Sequence, residues 1–111
     1  MNDCLLVLSN LPDEASAKRL AEVLVTSGLA ACVNILPPCQ SVYRWQGVVE
    51  QAQEIPVLIK TVSDRYPALE AAIRAQHPYE VPEIIALPVA AGLPAYLQWV
   101  ARETESSCLT C

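Results

Sequence analysis

The hydrophobic residues near the N-terminus form a strand-like run and then a helix-like stripe. Cys4–Leu8 is a short continuous apolar run, which predicts a buried strand. Asp13 follows at a position typical of a helix N-cap, and Gly28 stands where glycine commonly ends a helix. Between them, apolar residues recur with the i, i+3, i+4, i+7 spacing of one helix face: Ala17, Leu20, Ala21 and Leu24.

The middle of the chain has strand character on both sides of one turn signal. Ala31–Trp45 predicts a strand that is bent or bulged at Pro37-Pro38, because proline cannot donate to a β-ladder. Gln46-Gly47 predicts the turn, and strand character resumes over Val48–Val62, with Pro56 indicating an edge or a bulge.

The remaining elements are a second helix, a strand and a third helix. Ser63 or Asp64 can cap a helix that runs through Gln76, with an inward stripe of Tyr66, Leu69, Ala72 and Ile73. Val81–Val89 predicts a strand, and a third helical stripe follows Gly92: Leu93, Tyr96, Leu97 and Val100. The order β-α-β-β-α-β plus a C-terminal helix predicts an α+β fold of the ferredoxin-like plan. We expect one domain over residues 1–104 and a flexible tail over 105–111.

The length of the central hairpin predicts an oligomer. Strands usually run about five or six residues, and these two are about twice that length. Strands that outrun their own sheet leave unpaired edges, which a symmetric oligomer can cover by pairing one subunit's hairpin with the next. The apolar composition, 53% hydrophobic and 17% charged, agrees with surface buried between subunits.

The net charge and the cysteine content limit the classes of partner and the cellular location that we expect. The net charge is −5 and the seven basic residues are scattered, so neither nucleic acid nor an anionic membrane is an expected partner. Five cysteines is an odd number, and the N-terminus lacks the basic and apolar regions of a signal peptide. Free thiols and a cytoplasmic location are therefore expected.

Five blocks of sequence resemble the CutA divalent-cation tolerance family, in order and with compatible spacing over about residues 4–103. They are A-A-C-V-N-I at 30–35, S-V-Y-R-W-Q-G at 41–47, E-I-P-V-L-I-K-T at 54–61, H-P-Y-E-V-P-E-I-I at 77–85 and Y-L-Q-W-V at 96–100. The resemblance implies a ferredoxin-like fold that assembles as a tight homotrimer like that of PII signalling proteins. It implies a role in tolerance of copper or another divalent cation, and it brings no catalytic mechanism.

Candidate metal ligands follow from the resemblance and from side-chain chemistry. Copper binding in some family members is associated with a thiol at the end of the first strand and two histidines before Pro-Tyr. Here those positions hold Ser9 and the pair Gln76-His77, so only His77 matches. His77 and the thiol of Cys32 are the candidate ligands for Cu(II) or another divalent cation. The alternatives are that His77 caps a helix C-terminus and that Cys32 packs as a small apolar residue.

A C-x-x-C pair, Cys108 and Cys111, lies in the tail. It lacks the second pair of a zinc site and the strand-to-helix setting of a redox motif. We interpret it as a tail that binds metal or oxidises adventitiously.

Polar and aromatic residues in the matched blocks are candidates for a pocket or a subunit interface: Tyr43, Trp45, Glu54, Lys60, Tyr79, Glu83 and Trp99. Glu50 and Glu80 are further carboxylates in or near these blocks, and such groups serve acid–base chemistry or bind hard cations. For Glu54 and Lys60 we favour a structural ion pair within the fold. For the aromatic residues, filling the core is the alternative.

Enzyme signatures are missing, because the sequence has no G-x-G-x-x-G, phosphate-binding loop or G-x-S-x-G motif. Two function classes remain, and neither is an enzyme. One is a trimeric binding or signalling protein with a metal ion or small molecule at its subunit interfaces. The other is a scaffolding trimer that presents its surface to a protein partner.

Overall fold

The computed structural model describes residues 3–105 as a mixed α+β fold with an antiparallel sheet and three α-helices. The strands are β1 (Cys4–Leu11), β2 (Cys32–Ile35), β3 (Cys39–Trp45), β4 (Val48–Val62) and β5 (Ile85–Pro88). The helices are α1 (Glu14–Thr26), α2 (Tyr66–Gln76) and α3 (Pro94–Glu103), and a 3-10 turn at Ser63–Arg65 leads into α2. Residues 106–111 of the predicted tail, with Cys108 and Cys111, lie outside the described residues.

The sheet order is β2-β4-β1-β5, and each neighbouring pair is antiparallel. The long strand β4 has two partners in succession along its length. Its first half pairs with β3 in a hairpin, from Trp45 opposite Val48 to Cys39 opposite Glu54. Its second half lies between β1 and β2 in the centre of the sheet. The hairpin therefore extends the sheet beyond the domain, in a molecule that measures 48 × 29 × 24 Å.

The hydrophobic core lies between one face of the sheet and helices α1 and α2. Side chains of β1 and β4 that point to this face pack against the predicted helix stripes, and the fully buried members include Val7, Val57, Ile59, Leu20, Leu24, Leu69 and Ile73. Helix α3 covers one end of the opposite face, where Val100 packs with Val62 and Ala31. The rest of that face leaves Ile85 and Leu87 about half exposed.

The ends of α1 match the sequence prediction in atomic detail. The Asp13 carboxylate accepts a hydrogen bond of 2.8 Å from the backbone N–H of Ser16, as an N-cap should. Gly28 has φ +76°, a left-handed conformation that costs glycine little and other residues more.

Two strand predictions need correction. The single bent strand predicted over Ala31–Trp45 is two strands, β2 and β3, separated at Leu36–Pro38. Pro37 and Pro38 lack the N–H groups that would continue the ladder. Pro56 lies opposite this gap in the central strand β4, where its carbonyl accepts from Leu36 N–H, so of the two alternatives for Pro56 the edge is wrong. The register shifts by one residue here, from Ile35 opposite Val57 to Cys39 opposite Glu54, which agrees with the alternative of a bulge.

The strand predicted over Val81–Val89 is shorter than expected, since only Ile85–Pro88 pairs with β1. Pro82 cannot donate to a ladder. The segment 77–84 has no regular secondary structure and is instead fastened to β1 through side chains. No helix within residues 3–105 is long and apolar enough to span a bilayer.

Candidate functional site

The β3–β4 hairpin presents one polar and aromatic face because side chains alternate along a strand. Tyr43 and Trp45 share a face of β3, and Tyr43 lies directly opposite Glu50 on β4. Glu54 lies opposite Cys39, four residues further along β4 and therefore on this same face. Two aromatic rings and two carboxylates are thus placed side by side by strand pairing alone.

The segment 77–84 forms the facing wall, and Asn10 and His77 hold it in place. The His77 Nε2 lies 2.6 Å from the backbone carbonyl oxygen of Asn10, so this nitrogen carries the proton and donates. The Asn10 side-chain amide donates to Glu83 Oε1 at 2.9 Å. The end of β1 therefore fixes both ends of this wall.

A pocket of about 420 Å³ lies between the hairpin and the 77–84 segment. Its lining contains four carboxylates, three aromatic residues, an amide and a valine: Glu50, Glu54, Glu80, Glu83, Tyr43, Trp45, Tyr79, Asn10 and Val81. None of these lining residues is Lys, Arg or His. The lining thus combines acidic groups with apolar aromatic faces.

Glu54 is the most deeply placed of the pocket carboxylates, with only 9% of its surface exposed. Its Oε2 accepts a hydrogen bond of 3.2 Å from the Tyr79 hydroxyl. Partial burial and the adjacent Glu54 carboxylate raise the pKa of Tyr79 to about 12. The hydroxyl therefore stays protonated at neutral pH and remains a neutral donor to the carboxylate.

Partial desolvation raises the pKa of the Tyr43 hydroxyl, and the nearby Glu50 carboxylate adds to this effect. The pair Tyr43–Glu50 therefore resembles the pair Tyr79–Glu54. The pocket has two tyrosine–glutamate pairs, each with a protonated phenol beside a carboxylate.

The structure brings five of the predicted pocket residues together and separates the other two. Tyr43, Trp45, Glu54, Tyr79 and Glu83 all line the pocket. Trp99 lies on α3, where it packs beside the Val100 cluster and contacts the ring of Tyr96 at 5.7 Å. Lys60 lies at the far end of β4, where it donates to the side-chain oxygen of Asn34.

The predicted ion pair between Glu54 and Lys60 is wrong. The two residues are six positions apart on one extended strand, which separates their Cα atoms by about 20 Å. Each has another partner, Tyr79 for the carboxylate and Asn34 for the ammonium group. Sequence spacing along a continuous strand was sufficient to exclude the pair.

His77 lies behind the pocket wall, and 7% of its surface is exposed. Its Nε2 donates to Asn10, and its Nδ1 accepts a hydrogen bond of 3.2 Å from the backbone N–H of Tyr79. A metal ion at either nitrogen would have to replace one of these bonds. The role of His77 as a metal ligand therefore stays a prediction, and its observed role is to position the segment that carries Tyr79.

Cys32 lies on the open face of the sheet, away from the pocket. Its Sγ is 4.0 Å from the Lys60 ammonium nitrogen and 3.9 Å from Asn34 Oδ1. A neighbouring ammonium group opposes the approach of a metal cation. Within residues 3–105, no three His, Cys, Asp or Glu side chains are grouped closely enough to hold a metal ion.

Asn10 and Val81 were not singled out from the sequence. Asn10 is the penultimate residue of β1 and follows Ser9, and an amide there has no motif of its own. Its position opposite Pro56 on β4 is known only once the strand register is known. The alternation of Tyr43, Trp45, Glu50 and Glu54 across the turn was the signal that a sequence pattern offered.

Comparison with known proteins gives one consistent result. Residues 5–103 match the family model described as CutA1 divalent ion tolerance protein. The chain is 48% identical over 98 residues to the divalent-cation tolerance protein CutA of Thermus thermophilus, covering 88% of this chain and 95% of that protein. It is 50% identical over 95 residues to protein CutA of Mus musculus, covering 86% of this chain and 54% of that longer protein.

Solved structures show the same likeness. The Thermus thermophilus divalent cation tolerance protein superposes with a TM-score of 0.90 at 46% identity, covering 92% of this chain and 99% of the other. CutA from Xylella fastidiosa superposes with a TM-score of 0.90 at 47% identity, covering 93% of this chain and 99% of the other. With nearly its whole described length matched in sequence and in fold, this chain belongs to the CutA1 divalent ion tolerance protein family.

Proposed function

We propose that this protein is a homotrimeric, non-catalytic cation-tolerance protein that binds a divalent metal ion or a small molecule at its acidic pocket. Family membership supports the link to cations. The observation that carries the proposal is the pocket itself, whose lining contains four carboxylates and no basic residue. Such a lining attracts cations and repels anions.

Exposed apolar surface supports the trimer. Val42, Val48 and Val49 on the hairpin are 57–63% exposed, and Ile85 and Leu87 on the sheet are 47–49% exposed. Val42 and Val49 are diagonal neighbours on one face of the hairpin, and neighbouring exposed apolar side chains are typical of an interaction site. A hairpin edge also invites pairing with another strand. A ring of three subunits in the PII-like manner would cover both surfaces. The strand order β2-β4-β1-β5 is also compatible with the ferredoxin-like plan of such trimers.

The position of the pocket supports ligand binding near a subunit boundary. Tyr43, Trp45 and Glu50 reach the pocket from the hairpin, which is the element that projects furthest from the sheet. A metal ion there would need donors from a neighbouring subunit, because the described part of one chain groups no three suitable ligands. We also propose a cytoplasmic location, which the free thiols of Cys4, Cys32 and Cys39 support.

The test has two parts. Size-exclusion chromatography with light scattering must give three times the 12.1 kDa chain mass, and a monomer at micromolar concentration would overturn the trimer. Thermal unfolding with Cu(II) and other divalent salts must show stabilisation, since a ligand of the native state raises the melting temperature. We expect Glu54→Gln to abolish the stabilisation.

Two control proteins locate any copper that binds elsewhere. His77→Ala tests the histidine, and a chain that ends at Thr104 removes Cys108 and Cys111. Stabilisation that survives Glu54→Gln and disappears with the tail would assign the metal to the tail thiols. That result would contradict the pocket as the metal site.

A further inference from the structure

The strongest unexplained feature of the pocket is a buried carboxylate without a cation. Glu54 is nine-tenths buried, and its hydrogen-bond partner in the structure is the neutral hydroxyl of Tyr79. Within residues 3–105 no Lys or Arg forms an ion pair with it, and the pocket lining supplies no basic group. Burial of a charge is costly unless an opposite charge accompanies it, so the site favours a ligand that brings positive charge.

Within one chain, the carboxylates of the pocket lie too far apart to hold a single metal ion by themselves. Glu50 and Glu54 lie on one face of β4 four residues apart, which places their Cα atoms about 13 Å from each other. Metal ions need several donors within about 2.0–2.6 Å of one point. The described residues contain no group of three potential ligands with that closeness. Carboxylates that are spread around a cavity can instead neutralise charges that are themselves spread along a ligand.

The size and walls of the pocket suit an organic molecule. A volume of about 420 Å³ falls in the range of small-molecule sites, about 300–1,000 Å³. Tyr43, Trp45 and Tyr79 contribute aromatic faces between the carboxylates. Such faces attract ammonium groups through cation–π interactions and also pack against methylene groups.

We propose that the pocket binds a linear aliphatic polyamine, a chain of methylene groups that carries two or more ammonium groups. One ammonium group pairs with Glu54 and another with the carboxylates at the outer part of the pocket, while the methylenes lie along the tyrosine and tryptophan rings. This inference rests on the proposed function, since it names the class of cation that the same pocket takes.

The experiment is calorimetric titration of the full chain with spermidine. We expect saturable binding that Glu54→Gln weakens by at least about tenfold, because the substitution removes the buried charge. Glutamine keeps the acceptor oxygen for Tyr79, so the variant retains the local hydrogen bond. Trp45→Leu removes the cation–π contact and should weaken binding by about threefold to tenfold. Glu83→Gln, at an exposed carboxylate of the pocket, is the second charge variant if Glu54→Gln does not fold.

The controls separate a site from general attraction to an acidic protein. Glu22→Gln removes one charge from the exposed side of α1, outside the pocket, and should leave the affinity unchanged. Butylamine, with one ammonium group, should bind at least about tenfold more weakly than spermidine. Mg²⁺ at the same concentration should not displace spermidine.

Three results would overturn the proposal: no saturable heat, an equal loss in Glu22→Gln and Glu54→Gln, or displacement by Mg²⁺ at equal concentration. A trimer that copper stabilises through Glu54 but that binds no spermidine would reject the polyamine and leave the proposed function standing. Spermidine binding in a protein that copper does not stabilise would support the small-molecule form of that function.

Discussion

At the scale of single residues, Asn10 connects two walls of the pocket that are far apart in sequence. Its backbone carbonyl accepts from His77, and its side chain donates to Glu83. These two bonds fasten the irregular segment 77–84 to the C-terminal end of β1. The positions of Tyr79 and Glu83 therefore depend on a residue of β1 rather than on the hairpin.

Ser9 is a buried polar residue without a partner. Its Oγ has no hydrogen-bond partner among the described residues, and 1% of the residue is exposed. Because an unsatisfied buried hydroxyl costs about 1–3 kcal/mol, we expect Ser9→Ala to raise the free energy of unfolding by about 1 kcal/mol. Urea unfolding at one fixed protein concentration measures this difference.

Ser16→Ala is the matched control, since the Ser16 hydroxyl donates to the Asp13 carbonyl at 3.1 Å. That substitution should lower the stability. A loss of stability in both variants would mean that the Ser9 hydroxyl contributes a favourable interaction in the folded protein.

The raised pKa of Tyr79 predicts that the stability of the fold decreases at alkaline pH. Its pKa rises from 10.0 in the unfolded chain to about 12 in the folded one. A raised folded pKa favours folding fully below pH 10, and the contribution is lost as the pH rises from 10 to 12. We expect Tyr79→Phe to show a smaller fall in melting temperature over this interval than the parent.

Ultraviolet titration of the phenols measures the ionisation of Tyr79 independently of stability. The pKa values of Tyr43, Tyr66 and Tyr96 are also raised, so the test is the last phase of the titration. The parent should show a phase near pH 12 that Tyr79→Phe lacks. The other tyrosines are common to both proteins, so the difference isolates Tyr79. Identical late phases would show that a different tyrosine is responsible.

At the scale of elements, α1 is the part of the fold that the sequence describes best. Its cap, its inward stripe and its terminal glycine are all local signals that need no knowledge of the rest of the chain. The structure buries Ala17, Leu20 and Leu24 as the stripe predicts. Local signals are reliable here because the helix forms its own hydrogen bonds.

Two adjacent residues of α1 test this stripe directly. Leu24 is fully buried in the core, and Val25 is 44% exposed. We expect Leu24→Ala to cost about 2–5 kcal/mol of unfolding free energy, through lost burial and the cavity it leaves. Val25→Ala should change it by at most about 0.5 kcal/mol. Equal effects in denaturant unfolding would contradict the assigned face.

The strands were less predictable, because their lengths and neighbours depend on distant residues. The sequence predicts one bent strand over Ala31–Trp45, yet the two prolines and Pro56 on the facing strand divide its pairing. The pocket was likewise only partly predictable from the sequence. Alternation around the turn places Tyr43 and Glu54 on one face, whereas the contribution of segment 77–84 requires the tertiary contacts with Asn10.

At the scale of the whole molecule, the two faces of the sheet differ in how they are covered. Helices α1 and α2 cover one face, and α3 covers only one end of the other. The uncovered part includes Ile85 and Leu87, and the hairpin adds the exposed side chains of Val42, Val48 and Val49. Of the two overlong strands predicted for the hairpin, β4 is observed with 15 residues, whereas its partner β3 has 7. The apolar composition is explained in part by surface that a single chain leaves open.

The tail is expected to be dispensable for folding. The family match ends at residue 103, and Thr104, which caps α3, is buried and donates from its Oγ1 to the Val100 carbonyl. A chain that ends at Thr104 should keep the melting temperature and the assembled mass of the full chain. A drop of several degrees, or a smaller mass by light scattering, would show that the tail packs against the folded protein.

The central position of β4 has a consequence for the order of events during synthesis. The ribosome makes β1, α1, β2 and β3 before β4 emerges, yet three of the four pairings in the sheet join a strand to β4. The fourth joins β1 to β5, which is made later still. The strands made first therefore have unpaired edges until β4 is synthesised, and unpaired edges are prone to misassociation. Translational pausing before residues 48–62 should therefore increase misassociation of the nascent chain, whereas rapid synthesis of these residues would allow the early strands to pair with the central strand β4.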